Sequence, residues 1–431
     1  MIFAAHNSLT LPLRCLATLI AIIAAGFAAE DTYWPYWRGP AADGMAVGDA
    51  PVTWTDNENV RWKTDIPGLG NSSPVVWGDQ VFVTTAIPTG GGRIGALVEN
   101  KFDVISLDRK TGKIRWQQTA KTAVPHEGAH NRYGSFASNS PVTDGKHVYA
   151  FFGSRGMYCY DMSGKLVWQK DFGIQMRMKM AFGEGMAPVL SGNRLILVFD
   201  HEGESFMSVL DKETGQEIYR VNRDEKTNWA APLVVDFGGK KQIIVSATKK
   251  VRSYDLETGT LLWECAGLGA NTIPQPVRQG NLVFVMSGYQ NPKLMAIRLG
   301  RQGDLTNTDA VVWTQVKGNS YTPSPVIYDN KLYVLTDTGT LSCYNAATGE
   351  AFYAQQRLPK PYSFKSSPVG ANGKLYLASE NEDVVVVKMG EKYDVLATNT
   401  MPGQEFIATP AITGGEIFLR SKERVYCIAN K

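Results

Sequence analysis

The sequence predicts an all-β fold: an eight-bladed β-propeller of four-stranded antiparallel blades, with the ring closed by an N-terminal strand. Three observations predict it. A triplet of small residue, proline and apolar residue recurs with prolines at Pro74, Pro141, Pro188, Pro232, Pro276, Pro325, Pro368 and Pro410, spaced by 67, 47, 44, 44, 49, 43 and 42 residues. Each triplet leads into short runs of β-formers bounded by Gly, Asn or Asp, such as GDQVFVTTA, GKHVYAFFG and NKLYVLTD. Late in the unit a tight turn carries a glycine with an aromatic four residues on: Gly112 and Trp116, Gly164 and Trp168, Gly215 and Tyr219, Gly259 and Trp263, Gly349 and Tyr353. Such a glycine supplies the positive φ of a hairpin turn, and the aromatic is placed to pack between neighbouring sheets. An amphipathic 3.6-residue period is missing from the units, which excludes a helical solenoid.

Along the chain, residues 1–28 read as a secretory signal: Arg14 precedes the uncharged run CLATLIAIIAAGFAA, with small residues at Gly26 and Ala28 before the cut. An N-terminal segment, 29–71, follows and includes the ring-closing strand 59–65. That strand is needed because the eighth unit runs out at Arg424-Val425-Tyr426-Cys427-Ile428, whereas Asn59-Val60-Arg61-Trp62-Lys63-Thr64 carries a fourth-strand aromatic with no unit before it. Residues 72–431 form the propeller. Blade five has an insertion, Gly300 to Asp309, and blade seven lacks a clear turn glycine. The segment Tyr33-Trp34-Pro35-Tyr36-Trp37 is read as a plug for the bottom of the ring, with sugar stacking as the alternative.

Composition narrows the function. Over 431 residues the net charge is +3 and there is no long Lys/Arg run, so the chain has no electrostatic footprint for nucleic acid. The mature chain is expected to have no transmembrane span, to be a monomer, and to reside in the periplasm or outside the cell. Cys159, Cys343 and Cys427 occupy one repeated position where other units carry Ser106, Ser253 or Ala296, so these cysteines and Cys265 are expected to be small buried side chains without disulfides.

The turns Asp108 to Trp116 and Asp255 to Trp263 have the D-x-x-T-G-x-x-x-W form, and the chain resembles the PQQ-like (quinoprotein-type) β-propeller repeat proteins over roughly residues 34 to 430. Secreted bacterial members are also similar in an opening W-R-G-P-x-x-D-G segment, here Trp37 to Gly44. The resemblance implies one of two branches. In the quinone-dependent alcohol or sugar dehydrogenases, PQQ with calcium sits over the central axis; in the BamB type, the propeller is an envelope scaffold that binds proteins. The adjacent cysteine pair and haem domain of the first branch are missing, as is the lipidation cysteine of the second. A binding or scaffold protein without a catalytic motif is the leading expectation, with a dehydrogenase and a carbohydrate or small-ligand binder as alternatives.

The candidate ligand-binding residues lie between blades. A long loop, residues 121–139, holds His130, Asn131, Arg132 and Tyr133, placed to line the funnel that inter-blade loops form. The string His126-Glu127-Gly128-Ala129-His130 fits H-E-x-x-H, but Pro125 and Gly128 break the helix that would bring two histidines onto one zinc. Asp200, followed by His201 and Glu202, sits at a strand exit. Arg223, Asp224 and Trp229 occupy the next inter-blade loop. The alternating methionines Met176, Met178 and Met180 lack a histidine or cysteine to complete a soft metal site and are expected to pack. No metal site and no catalytic residue are assigned.

Overall fold

Each proline triplet starts the innermost strand of a separate small sheet, and eight such sheets stand around one axis. The structure is a computed structural model that describes residues 1–2, 33–90 and 96–430. The signal-peptide reading therefore falls largely outside the described residues. Blade one runs outward through Val75–Trp77, Gln80–Pro88, Asn100–Asp108 and Ile114–Ala123. Blades two to seven repeat the pattern. In blade eight the strands Ala411–Thr413, Glu416–Arg420 and Arg424–Ala429 are completed on the outside by Val60–Asp65, with Trp62 opposite Cys427 and Thr64 opposite Val425. The ring is closed as predicted.

Two sheets gain a short fifth strand. Gly303–Asp304, from the insertion in blade five, pairs in parallel with the outer strand of blade four at Trp263 and Glu264. Met45–Ala46 pairs in parallel with the inner strand of blade seven at Gly370 and Ala371. The loop expected over 121–139 is shorter than that, because the outer strand of blade one continues to Ala123. Among the described residues no helix is long and apolar enough to cross a membrane.

The turn-and-aromatic spacing is explained by contacts between blades. The indole N–H of Trp62 donates to the Arg109 carbonyl (2.8 Å), that of Trp116 to Met162 (3.1 Å), that of Trp168 to Lys212 (2.9 Å) and that of Trp313 to Ala346 (2.9 Å), always in the turn of the following blade. The turn glycine lies on the ring itself: a Cβ added at Gly112 would stand 2.6 Å from Trp62. An aspartate shapes the turn, since Asp108 accepts from the N–H groups of Lys110 and Thr111. The four cysteines of the blades are free and buried. Burial pushes Cys265 up to about 11 and Cys343 and Cys427 up to about 12, away from thiolate reactivity.

A second device, invisible in the repeat pattern, links the inner strands. In five of the eight blades the N–H of the residue before the proline donates to the hydroxyl of the matching residue in the next blade. The bonds run Gln275 to Ser324, Ser324 to Ser367, Ser367 to Thr409, Thr409 to Ser73 and Ser73 to Ser140, all between 2.8 and 3.0 Å. The arc stops at blades three and four, where the matching residues are Ala187 and Ala231.

The N-terminal segment crosses the axis on the face of the turns that join first and second strands. Trp34 pairs with Val76 of blade one, the Pro35 carbonyl accepts from Thr143 of blade two, and the Tyr36 hydroxyl donates to Gln275 of blade five (3.1 Å). Arg38, fully buried, donates to the carbonyls of Pro325 (2.5 Å) and Pro368 (2.8 Å) in blades six and seven. One segment thus ties five blades together and plugs the ring, as the first of the two readings of its aromatics expected.

Candidate functional site: a funnel over a plugged axis

With the axis closed below, the inter-blade loops surround a funnel on the opposite face. Its throat follows a simple register. The third residue before each proline turns inward, giving a ring of Asn71, Ser138, Gly185, Trp229, Ile273, Thr322, Lys365 and Ile407. Beneath this ring is a chamber of about 130 Å³ with Trp37 on its wall. Above it the funnel opens to about 550 Å³, with walls of His130, Tyr133, Phe182, Tyr289 and Tyr321 and a lip at Met180.

Each wall is held by identifiable contacts. His130 stacks on Tyr133 with ring centroids 4.7 Å apart and leans on Phe182 at 5.0 Å. Burial lowers the His130 pKa below the ordinary histidine value, and Lys365 adds to the effect while Glu380 opposes it. Lys365 is the single charged group of the throat ring; it lies 4.6 Å from the Tyr133 ring centroid and pairs with Asp337 (3.3 Å) and Glu380 (3.7 Å). The indole N–H of Trp229 donates to the Gly183 carbonyl (2.8 Å), which fixes its ring in the wall. Opposite, Tyr289 and Tyr321 pack at 5.5 Å. Met180 and Ala181 both have φ of +52°, a conformation that costs non-glycine residues about 1–3 kcal/mol each, and Met180 stands 77% exposed at the lip. Its neighbours Met176 and Met178 are buried, so the packing expected of the alternating methionines holds for these two and fails at Met180.

The residues singled out in the sequence separate into three groups. His130, Tyr133 and Trp229 line the funnel, and Arg132 lies at its rim, 3.9 Å from Glu380. Asn131 is exposed in the same loop. Asp200 and Arg223 lie elsewhere, in a fully buried ion pair with two bonds of 2.8 Å, closed by the Tyr254 hydroxyl (2.7 Å from Arg223) and by Asn228. Asp224 is exposed beside Lys249 and Arg252 on an outer groove that shares no lining residue with the funnel. The H-E-x-x-H string is not helical: His126 meets the Met176 carbonyl, Glu127 accepts from the Met178 N–H, and the His130 ring nitrogen accepts from Arg132 and Tyr133.

Sequence reasoning missed Lys365, Phe182, Tyr289 and Tyr321. For Lys365 a signal was present, its place three residues before Pro368; for the others no local pattern marks a side chain that reaches the axis from a loop tip. It also missed a group on the plugged face. Asp144, His147 and Glu213 bring ligand atoms within 4.8 Å of one another across blades two and three. Lys212 and Lys146 already pair with the two carboxylates, at 2.6 and 2.8 Å, so the group is charge-balanced without a cation.

The donor set bears on the cofactor implied by the dehydrogenase branch. Of the polar lining groups, Lys365 is already paired with Asp337 and Glu380, and the Asn71 amide donates to the Tyr133 carbonyl (2.7 Å). Calcium requires several anionic or carbonyl oxygens facing one point. Among the described lining residues of the chamber and funnel only Glu184 carries a carboxylate, and it is turned away to the Ser154 N–H (2.6 Å) and Arg155 (3.1 Å). The calcium half of the site does not fit these residues.

The family model described as outer membrane protein assembly factor BamB matches residues 100–355 and 303–392. No curated protein matches the sequence. Among solved structures, BamB from Moraxella catarrhalis is similar at 12% identity and a TM-score of 0.58, over 86% of this chain and 98% of that one. Quinohemoprotein alcohol dehydrogenase from Comamonas testosteroni is similar at 10% identity and a TM-score of 0.63, over 95% and 82%. A europium-containing methanol dehydrogenase gives 10% and 0.63, over 92% and 90%. At these identities the structural likeness speaks for the fold alone.

Proposed function

The chain belongs to the family of the outer membrane protein assembly factor BamB, and from that premise we propose that it is an exported, non-catalytic binding propeller of the cell envelope. The observation that carries the reading is the funnel: about 550 Å³ of aromatic-walled space, opening on the loop face and blocked below by the segment Trp34 to Arg38. A blocked axis makes a receptacle. Its mixture of aromatic walls with few polar groups suits recognition of a ligand or of a side chain presented by an envelope protein. Export rests on the apolar run before Ala29, and a monomer acting through its loop face is the simplest assembly.

A photo-cross-linking residue introduced at Tyr321 in living cells tests this, with Ile218 on the outer strand of blade three as control. Specific adducts at Tyr321 that Trp229→Ala abolishes are expected. Adducts at Ile218 alone would place recognition on the rim and overturn the reading. The dehydrogenase alternative is supported by the shared fold and opposed by the donor set. Calorimetry with PQQ and calcium, alongside dye-linked oxidation of alcohols and sugars, is expected to show no calcium-dependent binding and no turnover.

A further inference from the structure

We infer that the axial chamber is a carboxylate site, so that the ligand of the funnel is an organic acid with an apolar body; this rests on the funnel being the binding site. The argument starts from the broken hydroxyl arc. From blade five round to blade two, each N–H before a proline is satisfied by the next blade's hydroxyl. Ser140, Ala187 and Ala231 come next. Facing them in the following blades are the methyl groups of Ala187 and Ala231 and the side chain of Gln275, which is turned to Tyr36 and Ala42. Among the described residues these three N–H groups find no acceptor, although all three residues are buried.

A buried N–H without a partner costs about 1–3 kcal/mol, so a lone one is rare. Three on consecutive strands form a set. They border the chamber beneath the throat, where Ser140, Ala187 and Ala231 are lining residues, below Ser138, Gly185 and Trp229 of the throat ring. Adjacent N–H groups that share one concavity favour an anion over a neutral acceptor. A chamber of about 130 Å³ holds a carboxylate, while the body of the molecule fits only among the aromatic walls of the funnel. Lys365 does not provide this site, because Asp337 and Glu380 already neutralise it.

The test uses 1-naphthoate and its neutral counterpart 1-naphthalenemethanol, titrated against the full chain with tryptophan fluorescence as readout. Naphthoate is expected to bind at least ten-fold more tightly than the alcohol. In the double variant Ala187→Ser/Ala231→Ser, hydroxyls face the N–H groups of residues 140 and 187, two of the three, so naphthoate should lose about ten-fold in affinity while the alcohol is unchanged and the thermal midpoint does not fall. Ala231→Ser alone serves if the double variant does not fold, with a smaller loss in the same direction. Equal binding of acid and alcohol, or naphthoate binding indifferent to the new hydroxyls, would overturn the carboxylate site and leave the funnel reading intact. Binding of neither compound would overturn both.

Discussion

The buried pair of Asp200 and Arg223 shows how a residue type that suggests chemistry can serve the fold. Acid, histidine and acid at a strand exit resemble a proton-handling group, yet Asp200 is closed off by Arg223 and Asn228 and His201 turns to its own backbone, its ring nitrogen accepting from Arg177 and Gly203. Removing one partner of a buried ion pair strands the other charge. Asp200→Asn is therefore expected to cost about 3–5 kcal/mol in urea unfolding without altering the funnel. Gly112→Val meets two obstacles, a φ of +72° and the Trp62 ring, and should lose about 2 kcal/mol or more in the same measurement. His201 supplies a pH dependence. Burial lowers its folded pKa, so protons bind the unfolded chain more readily. Its contribution is complete above the unfolded value of about 6.5 and is lost as pH falls through the lower folded value. Half-buried Glu127 and buried Glu225, raised by desolvation, act in the opposite sense in any variant and cancel in a comparison. The loss of stability between pH 7 and 5 should therefore be steeper for the natural chain than for His201→Asn.

At the level of the strand and its loop, the legible part of the sequence was what repeats locally. Proline triplets, turn glycines and aromatics are each contacts within a unit or with the adjoining one, so their spacing survives in one dimension. The hydroxyl arc was hidden because it links matching residues of successive units, a bond of one residue per blade that no window of sequence contains. The register of the throat was hidden for the same reason. His130, Tyr133 and Trp229 were found because a loop between blades must end at the axis, whereas Tyr289 reaches it from the turn joining the second and third strands of blade five. Asp200 and Arg223 were named as candidates in other loops because charge in a loop looks exposed until a partner from another strand is known, and the structure buries them against each other. The arc makes its own prediction. Ser324→Ala removes the acceptor for the Gln275 N–H and should cost about 1–3 kcal/mol, more than the same change at exposed Ser163, as followed by chemical unfolding.

For the whole ring, stability depends on closure, since an open array would leave the first and last blades with a neighbour on one side only. Closure here is made twice. The outer strand Val60–Asp65 completes blade eight, with Arg424 paired to Asp65 and Arg61 to Glu416, while Trp62 lies on Gly112 of blade one and so joins the last blade to the first. Independently, the segment Trp34 to Ala46 fastens blades one, two, five, six and seven across the axis. If the strand alone closes the ring, deleting residues 59–65 should lower the thermal midpoint by many degrees and abolish cooperativity. If the crossing segment shares the task, that deletion should split unfolding into two phases, and Arg38→Ala added to it should merge them again at a lower temperature. Among the described residues the Arg38 guanidinium donates to carbonyls of blades six and seven and to that of Asp43 beside it, in a fully buried site, so we expect the second outcome. Differential scanning calorimetry of the deletion, with and without Arg38→Ala, decides. An unchanged midpoint in the deletion would mean that blade eight does not need its outer strand and would remove the basis for ring closure by the N-terminal segment.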